Sequence, residues 1–391
     1  MSPNPPIMKR EINRRKFIHS ALAVGAVAML DQRTLASVAR SIASPAEQKR
    51  YFAPVKVERS RRIRTVVGLR PYRPQGFVVA ATKLGDKFLV HNYGHGGGGI
   101  TLSWGTSSLA IDLARDFNLP TSSRQFAVLG CGVIGLSTAR LIQRRLRGAG
   151  GSVTIYAKDL PPETTSNVAG GFWLPTSVYN EQKISTAFSN QFHAACLISH
   201  RAFQTLVGPD YGVRWIDAFE LLSSQADLER EPAGGAHLYP QIKLLKDGKK
   251  HFGVEHVREY STMLIEPHTY LNALLRDFQI AGGKVVIKEF KSREELAGLP
   301  EEVIFNCTGL GARALFDDRH LKPVRGQMEV LLPQPEIDYC YLGGEEYMFP
   351  RRDGIVLGGT WDHDRWDLEP DAEQSERILE LHAELMKHMK R

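Results

Sequence analysis

Residues 126–139, FAVLGCGVIGLSTA, run from an apolar strand through Gly130-x-Gly132-x-x-Gly135 into small residues that continue as Arg140-Leu-Ile-Gln-Arg-Arg-Leu-Arg147. Strand, glycine turn and helix start are the order that a dinucleotide phosphate site requires. Gly130 permits the turn. Gly132 lets backbone approach a pyrophosphate, and Gly135 lets the helix lie close to the strand. The helix opens at Val133 and Ile134, where free N–H groups and the positive end of the dipole favour phosphate.

A second strand follows at Ser152–Ala157, β-branched and preceded by Gly150-Gly151. It ends at Lys158-Asp159, and a carboxylate at that strand end suits a ribose hydroxyl. Asp159 lies further from the glycines than usual because the helix between them is long. The run YAKDLPPETTSNVAGGFW, residues 156–173, then resembles the D-amino-acid oxidase family, FAD enzymes that include D-aspartate oxidase. Phe305-Asn-Cys-Thr-Gly309 and Pro323-Val-Arg-Gly-Gln327 resemble that family's NCTG and GRGQ segments. Tyr347-Met-Phe-Pro350 and Ile355-Val-Leu-Gly-Gly-Thr360 resemble its next two strands. Gly68-Leu-Arg-Pro71 and His91-Asn-Tyr-Gly-His-Gly-Gly-Gly-Gly-Ile-Thr101 resemble its catalytic segments.

These blocks come in an unusual order. In the family the glycine fingerprint opens the protein, and GxRP and HNYGHGG come near the end. Here the latter two come first, and an amphipathic helix at Asp371–Lys387 closes the chain. The pattern reads as a circular permutation, which needs the old ends close together on the surface. Arg391 is therefore expected near Ala53–Val57. The expected organisation is an export signal at 1–44, a linker at 45–57, a permuted catalytic segment at 58–118, and interleaved FAD-binding and substrate regions at 119–391. The expected class is α/β: a discontinuous Rossmann-like FAD-binding domain with a mostly antiparallel β substrate-binding domain.

The 391 residues carry a net charge of +7, but unevenly. Residues 1–73 hold 16 Lys/Arg against 4 Asp/Glu, so the rest of the chain is at −5. The basic excess belongs to the front of the chain and argues against nucleic-acid binding. Asn13-Arg-Arg-Lys-Phe-Ile18 followed by an apolar stretch to Leu30 is a twin-arginine export pattern, implying the twin-arginine machinery as a partner and a periplasmic or secreted location. Small residues at Ser37-Val-Ala39 and Ser41-Ile-Ala43 both suit cleavage; left uncleaved, the segment would act as an anchor. Cys131, Cys196, Cys307 and Cys340 have no metal-site spacing and read as buried thiols, so no metal is expected. The sequence leaves oligomeric state open.

Strands are expected at 64–69, 76–81, 87–92, 220–223, 242–246, 251–257, 261–265, 285–290 and 303–306. Helices are expected at 100–116, 181–206, 268–279 and 292–296. Residues 118–123 are the join that permutation would create.

The resemblance implies oxidative deamination: hydride passes from the Cα of a D-amino acid to flavin N5, and molecular oxygen then reoxidises the flavin. A 2-oxo acid, ammonia and hydrogen peroxide result. Oxidation of D-aspartate, glycine or N-methyl amino acids, a quinone acceptor in place of oxygen, and an exported flavin-binding protein without catalysis are the alternatives. Arg70 matches the family's carboxylate-binding Arg, whose fork of donors suits two oxygens; Arg73 is the local competitor. The Gly97 carbonyl matches the acceptor of the substrate amine. Tyr260 and Tyr347 are candidates to line the pocket. Flavin contacts are implied for Thr164, Thr165, Ser166, Gly171 and Phe172, together with Gly96, Gly98, Gly99, Ile100 and Thr101. The family often has a bulkier aromatic where Gly98 stands. His91 and His95 read as supports of the loop rather than bases, and Trp104 and Trp173 as core and flavin packing. Acidic substrates would need a second cation, for which Arg214 and Arg258 are available by sequence.

Overall fold

A computed structural model describes residues 51–116, 125–146, 150–344 and 346–389. The export segment, residues 45–50, the join at 118–123 and Arg391 lie outside the described residues. Two units divide the chain, Met1–Tyr51 and Phe52–Arg391, and the fold is that of the second.

The strands, in chain order, are β1 (Arg62–Tyr72), β2 (Val78–Leu84), β3 (Lys87–Tyr93), β4 (Gln125–Leu129), β5 (Ser152–Ala157), β6 (Val213–Leu222), β7 (Lys243–Leu244), β8 (His256–Ile265), β9 (Lys284–Ile287), β10 (Val303–Asn306), β11 (Lys322–Leu331), β12 (Tyr339–Gly343), β13 (Glu346–Arg351), β14 (Gly354–Gly358) and β15 (Asp362–His363). The long helices are α1 (Gly99–Asp116), α2 (Val133–Arg145), α3 (Thr186–Gln204), α4 (Pro267–Ile280) and α5 (Ala372–His388).

One sheet has the order β2-β3-β10-β4-β5-β9 and is parallel from β3 to β9. Its strands come from three separate stretches of chain, as a discontinuous nucleotide domain would. The fingerprint strand β4 lies between β5 and β10. Helix α2 leads from β4 to β5 on one side, while the chain reaches β10 on the other much later. The crevice beyond β4 and β10 is therefore a topological switch point, where such sheets bind ligands. The second sheet runs β1-β11-β14-β13-β12-β6-β8-β7, with β15 on β11, and is antiparallel except between β12 and β6. Both layers match the expected α/β class.

Helix α5 covers one face of the second sheet. Ile378 and Leu379 pack there with Tyr339, Tyr341, Met348 and Leu357. Residues Phe52–Val57 correct the expected linker, because Phe52, Ala53 and Val55 are buried in this same cluster. The Phe52 ring meets Phe219 at 4.9 Å, and Phe252 and Tyr339 at 5.2 Å each. The Tyr339 hydroxyl bridges the two ends of the unit, donating to the Ala53 carbonyl at 2.8 Å with Met389 Sδ at 3.2 Å. Two prolines in a polar stretch read as linker, but an aromatic side chain with a cavity to fill decides otherwise. Phe52→Ala should cost about 3–5 kcal/mol of stability in a denaturant titration; a neutral result would return the segment to linker status.

Other differences are local. The expected strand at 251–257 is a short helix, Gly248–Phe252, followed by β8 from His256. The strand expected at 220–223 extends back to Val213 because it pairs with β8 along its length. All four cysteines are free and buried, and burial raises the Cys131 and Cys307 thiols to about 12. Among the described residues no helix is long and apolar enough to cross a membrane.

Candidate active site

The fingerprint turn is tight by necessity. Gly130 has φ +101, and a Cβ there would stand 2.6 Å from the Cys307 carbonyl oxygen at the end of β10. A Cβ on Gly135 would stand 2.0 Å from the Gly130 carbonyl oxygen, so α2 touches the turn backbone to backbone. Gly132 occupies the N-cap of α2 without a side-chain cap. Ser166 closes over it, and its Oγ accepts the Val133 N–H at 3.0 Å. Ile134 follows in the first helical turn. Ser166 belongs to a short 3-10 turn, Thr165–Val168, preceded by Thr164, whose hydroxyl donates to Asn167 Oδ1 at 2.7 Å. Thr165 is exposed. The Asn167 Nδ2 donor is buried without a partner among the described residues. A buried donor left open beside a glycine turn and a helix start fits a phosphate-bearing cofactor. Lys158 and Asp159 are exposed at the carboxyl end of β5, 3.7 Å apart, where an acidic group can reach a ribose.

The chain then crosses from nucleotide turn to second sheet. A Cβ on Gly68 of β1 would stand 2.5 Å from Val168 Cγ2, and one on Gly170 2.7 Å from the Phe349 ring. Gly171, at φ +85, lies against the Ile265 carbonyl oxygen. Phe172 stacks on Phe349 at 4.9 Å, and Phe349 on Tyr347 at 5.0 Å. The segment 168–172 thus lies across the sheet face opposite α5.

Register puts Arg70 and Tyr347 on that same face. Gly68 pairs with Gly326, Met328 with Gly358, and Gly358 with Tyr347, and residues two apart on a strand share a face. Two glycines make room for the two side chains. A Cβ at Gly326 would stand 2.2–2.4 Å from the Arg70 guanidinium atoms, and one at Gly358 would fall on the Tyr347 ring. Arg70 Nη1 donates to the Thr360 carbonyl at 3.1 Å, and its guanidinium carbon lies 5.0 Å from the Trp361 ring centre. Arg70 is half-buried, and among the described residues it has no acidic partner. Arg73 does have one, Asp318 at 3.0 Å. Sequence reasoning missed Gly326, Phe349 and Trp361, although Gly326 lies inside the quoted PVRGQ segment.

The glycine loop is anchored beside residues 174–178. The Gly97 N–H donates to the Ser177 carbonyl at 2.9 Å, and Gly97 is exposed. Gly96, at φ +56, lies against that same oxygen. A Cβ at Gly98 would meet Val178 Cγ2 at 2.6 Å, so Val178 fills the space that a larger residue would need. Gly99 opens α1, and Ile100 is core. The Thr101 hydroxyl lies 3.4 Å from the Phe172 carbonyl oxygen and 3.2 Å from that of Leu174, tying α1 to the crossing segment.

Tyr260 lies further along the face of Arg70 and Tyr347: Tyr347 pairs with Leu342, Cys340 with Ala218 and Ala218 with Tyr260. It sits on β8, six strands from β1, fully buried against Tyr239 at 4.9 Å, and its hydroxyl has no partner among the described residues. No described contact joins it to Arg70. The two candidate second cations are committed elsewhere. Arg258 donates to Glu220 Oε2 at 2.8 Å and to the Asp227 and Leu228 carbonyls, and Arg214 to the Pro350 carbonyl.

The histidines of the loop are scaffold. Asn306 Nδ2 donates to His91 Nδ1 at 3.1 Å, and His95 Nε2 donates to Thr106 Oγ1 at 3.0 Å, whose own proton goes to the Leu102 carbonyl. Behind the sheet, His382 Nε2 donates to the Gly358 carbonyl at 2.8 Å while Nδ1 accepts from the Tyr341 hydroxyl. Burial lowers these three imidazoles to about 4, 3 and 4 respectively. The folded state therefore prefers them neutral, and this contribution is complete above pH ~6.5, the unfolded value. Below it, each histidine costs about 1.4 kcal/mol per pH unit until its folded value is reached. The melting temperature should fall steeply from pH 6.5 to 4.5, and His382→Gln should flatten that fall; an unchanged slope would remove His382 from the account.

A protein family described as FAD dependent oxidoreductase matches residues 125–391. A D-amino-acid oxidase of Rubrobacter xylanophilus is 33% identical over 261 residues, covering 64% of this chain and 74% of its own length. The human D-aspartate oxidase is 31% identical over 264 residues, covering 65% and 74%. Among solved structures, glycine oxidase from Bacillus cereus superposes with a TM-score of 0.49 at 18% identity, over 66% of this chain and 77% of that one. With a match over two thirds of its length, laid on a fold whose glycine turn and crevice suit the cofactor, the chain belongs to the family of FAD-dependent oxidoreductases.

Proposed function

We propose that this protein oxidatively deaminates D-amino acids to 2-oxo acids, ammonia and hydrogen peroxide. The observation that carries the reading is Arg70: a half-buried guanidinium without an acidic partner among the described residues, on a sheet face reached by the nucleotide-side segment 168–172. A cation so placed awaits an anion, and its fork suits a carboxylate. The relatives named D-amino-acid oxidase and D-aspartate oxidase support the same class.

Gly130, Gly132, Gly135, Ser166 and the α2 start would hold the FAD diphosphate, and Asp159 its ribose. When bound, FAD accepts two electrons from the substrate and passes them to molecular oxygen. The chain's own part is to position and to stabilise charge. Arg70 clamps the carboxylate, and Tyr347 walls the pocket beside it. The carbonyl of the exposed Gly97 accepts from the substrate amine. Helix α1, starting at Gly99, turns its N–H groups and dipole towards negative charge. No side-chain base is assigned, since His91 and His95 are held within the scaffold.

The commitments of Arg214 and Arg258 favour a neutral side chain over an acidic one. Permutation accounts for the order of the segments: the family match begins at residue 125, after the Arg70 strand and the glycine loop, and Ala53 meets Met389 at Tyr339. The twin-arginine pattern supports export to the periplasm or beyond.

The test is an anaerobic titration of the purified protein with D- and L-alanine, D-aspartate and glycine, followed by flavin absorbance, then oxygen uptake on readmitting air. Bleaching by D-alanine but not L-alanine is the expected result. A yellow protein that no amino acid bleaches would overturn the reading; bleaching without oxygen uptake would move the acceptor to a quinone.

A further inference from the structure

The Arg70 side chain reaches across Gly326, whose missing Cβ leaves its guanidinium a place, and donates to the Thr360 carbonyl. The hydrogen bond holds one arm of the fork. The Trp361 ring, 5.0 Å from the guanidinium carbon, offers the group an aromatic surface to pack on. That ring is itself held. Its Nε1 donates to His363 Nε2 at 3.0 Å, and Tyr72 meets it edge-on at 5.8 Å. The backbone beneath is pinned as well: β15 pairs with β11, where the fully buried Arg325 bonds Asp362 at 3.1 Å. Resting on the reading of Arg70 as carboxylate clamp, we propose that Trp361 is a positioning residue that fixes the guanidinium plane, with His363 as its anchor. A carboxylate meets such a fork edge-on, in the guanidinium plane, so the ring can hold that plane without blocking the donors.

Ring and shape can be separated. Trp361→Phe keeps an aromatic face and loses the N–H; Trp361→Met keeps apolar bulk and loses the face. FAD-loaded protein is titrated with propanoate, a substrate frame without the amine, and followed by flavin absorbance. KM and kcat for D-alanine are measured beside it. Trp361→Met should weaken propanoate and raise KM about tenfold, with kcat, flavin content and melting temperature close to the parent. Trp361→Phe should stay within about threefold. Equal affinities for the two variants would overturn the proposal. Should Trp361→Met fail to fold, the exposed His363→Phe is expected to weaken propanoate about threefold at unchanged melting temperature, and parent-like affinity there would overturn it too. Arg70→Ala separates the two levels. If it leaves propanoate binding intact, the clamp itself fails; if it abolishes binding while Trp361→Met does not, only the positioning role falls.

Discussion

Arg70→Ala is expected to lower kcat/KM for D-amino acids by about 30–300-fold, leaving flavin content and melting temperature near those of the parent. Truncating one partner of a hydrogen-bonded charge pair costs 2–5 kcal/mol when the pair is desolvated, and a half-exposed site belongs in the lower part of that range. The fold should tolerate the change, because no carboxylate among the described residues depends on Arg70. Arg70→Lys should recover only part of the loss, since an ammonium keeps the charge but not the fork. Steady-state kinetics with D-alanine decide the matter, and a normal KM in Arg70→Ala would end the assignment. Arg73 makes the contrast: its guanidinium already holds Asp318, so Arg73→Ala should act on stability before it acts on KM.

Gly135→Val should yield a protein that purifies with little or no FAD. The first added carbon would stand 2.0 Å from the Gly130 carbonyl oxygen and 2.9 Å from its carbon. Backbone faces backbone there, so no side chain can swing aside. Either α2 lifts away from β4 or the turn opens, and both destroy the alignment of Gly132, the α2 start and Ser166. Overpacking of this kind costs about 1–3 kcal/mol or more. Gly282→Ala is the comparator: at φ +82 with nothing within 4 Å of its Cβ, it should cost only backbone strain, roughly 1–2 kcal/mol. The ratio of flavin to protein absorbance reads both variants. A fully flavinated Gly135→Val would contradict the backbone contact.

The nucleotide half was legible because its physics is local. A strand, a glycine turn and a helix within 126–147 leave few alternatives, and the observed β4, α2 and β5 follow them closely. Val303–Asn306, short and wholly apolar up to its last residue, was legible for the same reason. The second sheet was harder. Residues 242–257 are polar with weak alternation, and whether they form helix or strand depends on pairing with β8 and packing on α5. Phe52 carried no local signal, since its value lies in Phe219, Phe252 and Tyr339 far along the chain. At the site, Arg70 and Tyr347 stood out by motif. Their neighbours Gly326 and Trp361 did not, because a missing side chain and a ring acquire their roles only when distant strands meet. Tyr260 shares the face of Tyr347, and its distance from Arg70, six strands along the sheet, comes from sheet order.

The separation along the chain between Arg70 and the Thr360 carbonyl that steadies it is 290 residues, and between Ala53 and Tyr339 it is 286. During synthesis the first-made strand of the second sheet must therefore wait, without its partner β11, until most of the polypeptide has left the ribosome. Contacts so distant are slow to close, and an edge strand kept waiting is open to wrong pairing. Half-made or truncated chains of this protein should be sticky, and its yield should depend on holdase chaperones more than its final stability would suggest.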